Sequence, residues 1–222
     1  MTPINVAVFI FLAALGAAIT FLSDYFVSRR PGKAAKSGPA RRFVISAVCA
    51  ALLFAIWLRA GYGAPCELVC LWAFFAVLVC LSDVDFRAGI IPNPLVFSAL
   101  ALSVFRLFLP RAPGALDAAG GLLAGALPLL LAEVFFRLMF KKSGVGYGDV
   151  KLIAACGLFL GGAASAVLAL ALAFILAGLY SAVLIALKKA GRGSYIPLGP
   201  FITAGTALAY FFGTGATTWY GL

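Results

Sequence analysis

Histidine is absent from the 222 residues, which excludes Ser-His-Asp and Cys-His nucleophilic catalysis, His-ligated metals and imidazole proton relays. Charge is scarce as well. Asp, Glu, Lys and Arg make up 11% of the chain and 64% is hydrophobic, too apolar for a soluble domain, in which about a quarter of residues are charged. No CxxC pair exists among Cys49, Cys66, Cys70, Cys80 and Cys156. A thiolate zinc site is therefore unsupported, and the cysteines read as small apolar residues within helices. The apolar run at the start, over 1–22, has no positively charged segment before it and reads as a first span rather than a cleaved signal peptide. What charge there is runs to 17 Lys and Arg against 7 acids, a net +10. In so apolar a chain that surplus points to membrane topology and anionic lipid, and no nucleic-acid partner is expected.

The expected fold is all-α, a polytopic membrane bundle of about eight helices. Apolar runs broken by Pro, Gly and charge place spans near 3–22, 43–60, 66–82, 94–109, 116–138, 150–162, 164–187 and 197–213. The sixth is too short to cross a bilayer upright. It either dips in and out, or continues through Gly161 and Gly162 into the seventh, which would leave seven spans. Alternating loops put the basic residues from Arg29 to Arg42, with Arg87, Arg137, Lys141, Lys142, Lys151 and those from Lys188 to Arg192, on one side. Only Arg59, Arg106 and Arg111 fall on the other. The first side is thus cytoplasmic by the positive-inside rule, and 23–42 reads as a flexible basic loop against anionic headgroups.

With so few acids, their positions carry information. Asp83 and Asp85 end the third span, and Asp149 opens the sixth, so two separate segments bring carboxylates to one membrane face. Acids at a membrane edge are functional candidates by default. Each has a competing reading as structure. Asp149 follows a Gly-rich turn where an N-cap belongs, and Asp83 and Asp85 could be a solvated helix end paired with Arg87. Glu133, inside the fifth span, either snorkels or faces a polar cavity. Without histidine, a metal cluster or an activated Ser or Cys, the chemistry left is that of two carboxylates sharing one proton and activating water. The helix dipole favours the anion at Asp149, at a helix N-terminus, and the neutral acid at Asp85, at a C-terminus.

At these residues the chain resembles the type IV prepilin peptidase family, the GxGD class of membrane aspartic proteases. Three elements carry the resemblance: Asp85 to Asn93 (DFRAGIIPN), Gly146 to Leu152 (GYGDVKL) and Ile196 to Phe201 (IPLGPF). The resemblance puts the catalytic pair on Asp85 and Asp149 and makes Asp83 an accessory acid. Gly146 and Gly148 would permit the turn that aims Asp149 inward, Pro92 and Asn93 would fix the turn into the fourth span, and Lys151 would pair with a headgroup or bias the dyad. Pro197, Gly199 and Pro200 would break the start of the last span and leave backbone groups bordering the site.

The resemblance implies a single integral membrane peptidase domain over 1–222 that cuts the short basic leader from prepilins or pseudopilins. It also implies a multi-pass protein of the bacterial inner membrane with its site facing the cytoplasm, serving type IV pilus or secretion assembly. The partners are the pilin substrate and membrane lipid, and hydrolysis calls for no cofactor and no metal. Bifunctional relatives carry an insert with two CxxC pairs after the first span and methylate the new terminus from S-adenosylmethionine. The corresponding loop here has no cysteine and the family's N-terminal stretch has no match, so a peptidase alone is expected. Two other classes compete: a small ion-coupled transporter using Asp85, Asp149 and Glu133, which would want its acids nearer midplane, and a catalytically silent relative acting in pilus or secretion assembly.

Overall fold

A computed structural model describes residues 3–29, 38–60, 65–141, 146–189 and 196–213. They form eight helices: α1 (Pro3–Ser28), α2 (Pro39–Ala60), α3 (Pro65–Ala88), α4 (Asn93–Arg106), α5 (Ala115–Phe140), α6 (Tyr147–Leu160), α7 (Ala163–Ala186) and α8 (Gly199–Phe212). The all-helical polytopic expectation holds. Two length classes decide the architecture. α1, α2, α3, α5 and α7 are long and apolar enough to cross a membrane. α4, α6 and α8 have 14 residues each, about 21 Å of helix against a hydrocarbon core of about 30 Å.

The short helices are packed within the bundle. Nearly all of α6 is buried, including Val150, Leu152, Ile153 and every residue from Ala155 to Leu160, as befits a helix that is apolar all round. It packs against α4, α5, α7 and α8, while α3 packs against α1, α2, α4 and α8. The aromatic rings of Phe74 on α3 and Phe159 on α6 stack with centroids 3.6 Å apart, and Phe75 meets Tyr210 of α8 edge-on.

Small residues bring the helices close where hydrocarbon gives no hydrophobic drive to associate. A Cβ added to Gly121 of α5 would overlap the Gly157 carbonyl of α6, and one on Gly157 would overlap the Gly121 carbonyl. One turn along, a Cβ on Gly125 would stand 2.9 Å from the Ile153 carbonyl. These contacts fix an antiparallel register between α5 and α6.

Two expectations need correction. The sixth helix does not continue into the seventh: Gly161 takes a left-handed φ of 72° as the C-cap of α6, and α7 starts afresh at Ala163. The loop expected over 23–42 is shorter, because α1 runs to Ser28 and α2 begins at Pro39. Ion pairs between those helix ends hold them, and residues 30–37 lie outside the described residues. Arg106, within the span expected over 94–109, closes α4 with 3% exposure, its guanidinium 4.7 Å from the Phe159 ring centroid.

Candidate active site

The end of α3, the starts of α6 and α8, and the turn into α4 converge. Asp85 lies in the last turn of α3, where its carbonyl accepts the Gly89 amide, and Gly89 closes the helix at φ 64°. The chain then turns at Pro92, whose carbonyl accepts the amides of Leu95 and Val96 to start α4. Pro92 does cap α4, while Asn93 is exposed and makes no side-chain cap.

Asp85 is 1% exposed, and its Oδ2 accepts the Gly199 backbone amide at 2.8 Å. Gly199 begins α8, so the broken start of that helix supplies a backbone donor to an acid on α3. Side chains do not fit there: a Cβ on Gly199 would stand 2.7 Å from Asp85 Oδ2. Pro200 follows in the helix's first turn, and half-buried Pro197 precedes the cap.

Asp149 is also buried. It is not the N-cap of α6. Gly146 holds that position and Asp149 is the third helical residue, where its carboxylate reaches back to the Gly146 amide, as an acid does in a capping box. The other oxygen, Oδ1, is buried with no hydrogen-bond partner among the described residues. Buried acceptors are ordinarily satisfied, so the capping reading accounts for one oxygen and leaves the second unexplained. Asp149 and Asp85 are near enough for the charge on one to act on the other.

The glycines of GYGD work differently from the expectation. Gly146 has φ −69°, and the positive-φ glycines of the described residues are Gly89 and Gly161, so no special backbone turn is required of either. Space is the reason for both. A Cβ on Gly146 would lie 2.9 Å from Asp149 Oδ2, and one on Gly148 would lie 2.8 Å from Ile91 Cβ. Gly148 thus seats the Asp149 segment directly on the segment that follows Asp85.

The dipole asymmetry narrows. Asp85 does end a helix, but it meets the N-terminus of α8, while Asp149 sits in the first turn of α6. Asp85 thus stands between the negative end of α3 and the positive end of α8, whereas Asp149 meets a positive end alone, so the asymmetry is smaller and its direction is kept.

Asp83 belongs elsewhere. It is saturated by Ser23 Oγ at 2.6 Å, by Arg41 Nη2 at 2.8 Å and, more distantly, by Arg87 at 3.5 Å. Arg87 reaches Asp24 at 2.6 Å, as does Arg42. This network ties the end of α1, the start of α2 and the end of α3 beside Asp85. Its members Ser23, Asp24, Arg41 and Arg42 went unforeseen, since nothing in linear spacing relates residues 24, 42 and 87. Lys151 is exposed on α6, two positions from Asp149, and such neighbours face different sides of a helix, which leaves its ammonium open to a headgroup. Glu133 faces inward, fully buried, and pairs with Arg137.

Among the described residues no three His, Cys, Asp or Glu side chains cluster as metal ligands would. The donors gathered here are two carboxylates and backbone amides.

Residues 72–182 match the type IV leader peptidase family. Relatives named prepilin leader peptidase/N-methyltransferase include one from Aeromonas salmonicida (strain A449), 31% identical over 76% of this chain and 56% of its own. Another, from Burkholderia pseudomallei (strain K96243), is 33% identical over 63% of this chain and 45% of its own. A third, from Stutzerimonas stutzeri, is 27% identical over 90% of this chain and 68% of its own. The chain spans about half the length of the first of these relatives. No solved structure matches it significantly.

Proposed function

The chain belongs to the type IV leader peptidase family, and on that premise we propose that it is a multi-pass membrane aspartic endopeptidase that removes the basic leader of prepilins or pseudopilins. The observation that carries the reading is that separate helices bring two buried carboxylates, Asp85 and Asp149, near enough for one charge to act on the other, with one oxygen of Asp149 free of hydrogen bonds among the described residues.

In this reaction one acid is ionised and the other protonated. The ionised carboxylate takes a proton from water as the water oxygen attacks the scissile carbonyl carbon, and the protonated acid gives its proton to the carbonyl oxygen. The tetrahedral diol collapses when the first acid returns its proton to the leaving amide nitrogen, and the second regains one from the diol. No cofactor is needed in this scheme. Gly199 holds Asp85 in place, and Gly146 does the same for Asp149.

The membrane location suits such a substrate. Basic residues crowd the bundle end that carries the dyad, which favours a cytoplasm-facing site in the inner membrane, and an apolar segment following the cut would hold the bond at that interface. The acids lie at helix ends rather than at midplane, against a transporter, and both are intact, against a silent relative. Peptidase activity alone is proposed, without methyl transfer.

The test is cleavage of a co-expressed prepilin, read as a mobility shift and product mass. Wild type is expected to cut, and Asp85→Asn and Asp149→Asn to lose at least about a thousandfold while remaining folded, since each acid is half of the acid–base pair. Full activity in either variant, or no cut by wild type across several prepilin classes, refutes the reading.

A further inference from the structure

The α5–α6 register has a consequence beyond the dyad. Gly121 lies against Gly157 and Gly125 against Ile153, so each helical turn along α5 moves one turn back along α6. Continued at that pitch, Leu129 comes level with Asp149, and Glu133 lies one turn further on, by the start of α6. The buried stripe of α5 fits this, running through Ala118, Gly121, Gly125, Leu129 and Glu133. A fully buried carboxylate therefore sits beside the first turn of α6, which carries the second acid.

Glu133 accepts a hydrogen bond from Arg137 Nε one turn on. The Arg137 guanidinium in turn lies over the Tyr147 ring, 4.7 Å from its centroid. Tyr147 is the first residue of α6 and sits between the two glycines of GYGD. We propose that Glu133 and Arg137 are positioning residues for Asp149: the acid inside the bundle fixes the guanidinium, and the guanidinium clamps the Tyr147 ring and with it the first turn of α6. Because Gly146 and Gly148 carry no side chains, Tyr147 is the handle by which a neighbouring helix can hold that turn. Arg137 and Tyr147 are each about half exposed, so the cation–π contact is a modest tether, yet small misplacements of a reacting group cost rate steeply.

The role assigned to Asp149 rests on the peptidase reading, so the experiment has two arms on the full chain in lipid nanodiscs. The first follows amide hydrogen exchange over 146–152 by mass spectrometry. Arg137→Ala and Tyr147→Leu are expected to raise exchange in that segment, while Arg137→Lys and Tyr147→Phe, which keep the charge or the ring face, restore most of the protection. The second follows prepilin cleavage. Arg137→Ala, Glu133→Gln and Tyr147→Leu are expected to lower kcat on the order of ten- to a hundredfold with KM nearly unchanged. The Arg137→Ala, Tyr147→Leu double variant should be little worse than either alone, as coupled residues are. Unchanged exchange in Arg137→Ala, strictly additive losses, or a loss confined to KM would overturn the proposal. Should wild type cut no prepilin, the peptidase reading fails alone, and the exchange arm still decides whether the clamp exists.

Discussion

Gly148 rests on Ile91 so closely that a Cβ on the glycine would stand 2.8 Å from the isoleucine Cβ. The two residues belong to separate motifs, GYGD at the start of α6 and the IIPN turn that leads from Asp85 into α4. Their contact explains how acids from distant parts of the chain reach one site. Each acid is fixed to its own local turn, and the turns are fixed to each other through a position that admits no side chain.

Gly148→Ala is therefore expected to push the start of α6 off Ile91 and separate the acids. Cβ contacts that short do not survive, and backbone must move. Cleavage should fall on the order of a hundredfold, while helix content by circular dichroism is retained, because the rest of α6 stays packed. An alanine variant with wild-type turnover would show that the two turns need not touch.

Asp83 predicts a different kind of loss. Its carboxylate serves Ser23 and Arg41 and lies near Arg87, so Asp83→Asn removes the charge that Arg41 pairs with and one of the two acceptors that Ser23 and Arg41 share, at about 1–3 kcal/mol. The variant should unfold at lower temperature in detergent yet still cut, more slowly, once folded. Complete loss of cleavage with an unaltered unfolding midpoint would give Asp83 a place in the chemistry instead.

Much of this was legible in sequence because it depends on local signals. Apolar run length gave the helices, since a span must be long and apolar to cross hydrocarbon, and the rarity of acids made Asp85 and Asp149 visible. Position relative to a helix end suggested a proton assignment for the pair, but it could not show the N-terminus of α8 at Gly199, far along the chain, which caps Asp85 from outside α3. The Asp24 pairs with Arg42 and Arg87 were illegible for the same reason: long-range ion pairs leave no periodicity. The Glu133 and Arg137 spacing, a single helical turn with the acid first, was a readable signal, whereas its link to Tyr147 needed the α5–α6 register. For the glycines of GYGD the residue type was informative and the reason inferred from it was not, since room for neighbouring atoms, not positive φ, is what they supply.

If Asp85 and Asp149 share one proton, as proposed, the form of the pH dependence is fixed. Activity requires one acid ionised and one protonated, so kcat/KM should be bell-shaped, lost on the acid side when both carboxyls are protonated and on the alkaline side when both are ionised. The two apparent pKa values belong to the pair. Cleavage of a prepilin in nanodiscs across pH measures this directly, and a profile with a single limb would mean that one of the two acids does not titrate in the reaction.

Gly199 provides the sharpest separation of chemistry from folding. Its amide donates to Asp85 Oδ2 at 2.8 Å, and a Cβ there would lie 2.7 Å from that oxygen and 3.1 Å from the Asp85 Cβ. In Gly199→Ala the carboxylate must swing away or the start of α8 must retreat, and either movement lengthens the hydrogen bond. The remainder of α8 is held independently, by Thr203 on the Leu78 carbonyl and by the burial of Ile202, Gly205 and Thr206. Turnover is thus expected to fall on the order of ten- to a hundredfold while the unfolding temperature moves little. Pro200→Ala, which restores a backbone donor without adding bulk toward Asp85, should be much milder. An equal loss in both variants would mean that the break in the helix matters to the site, and the amide that it frees for Asp85 does not.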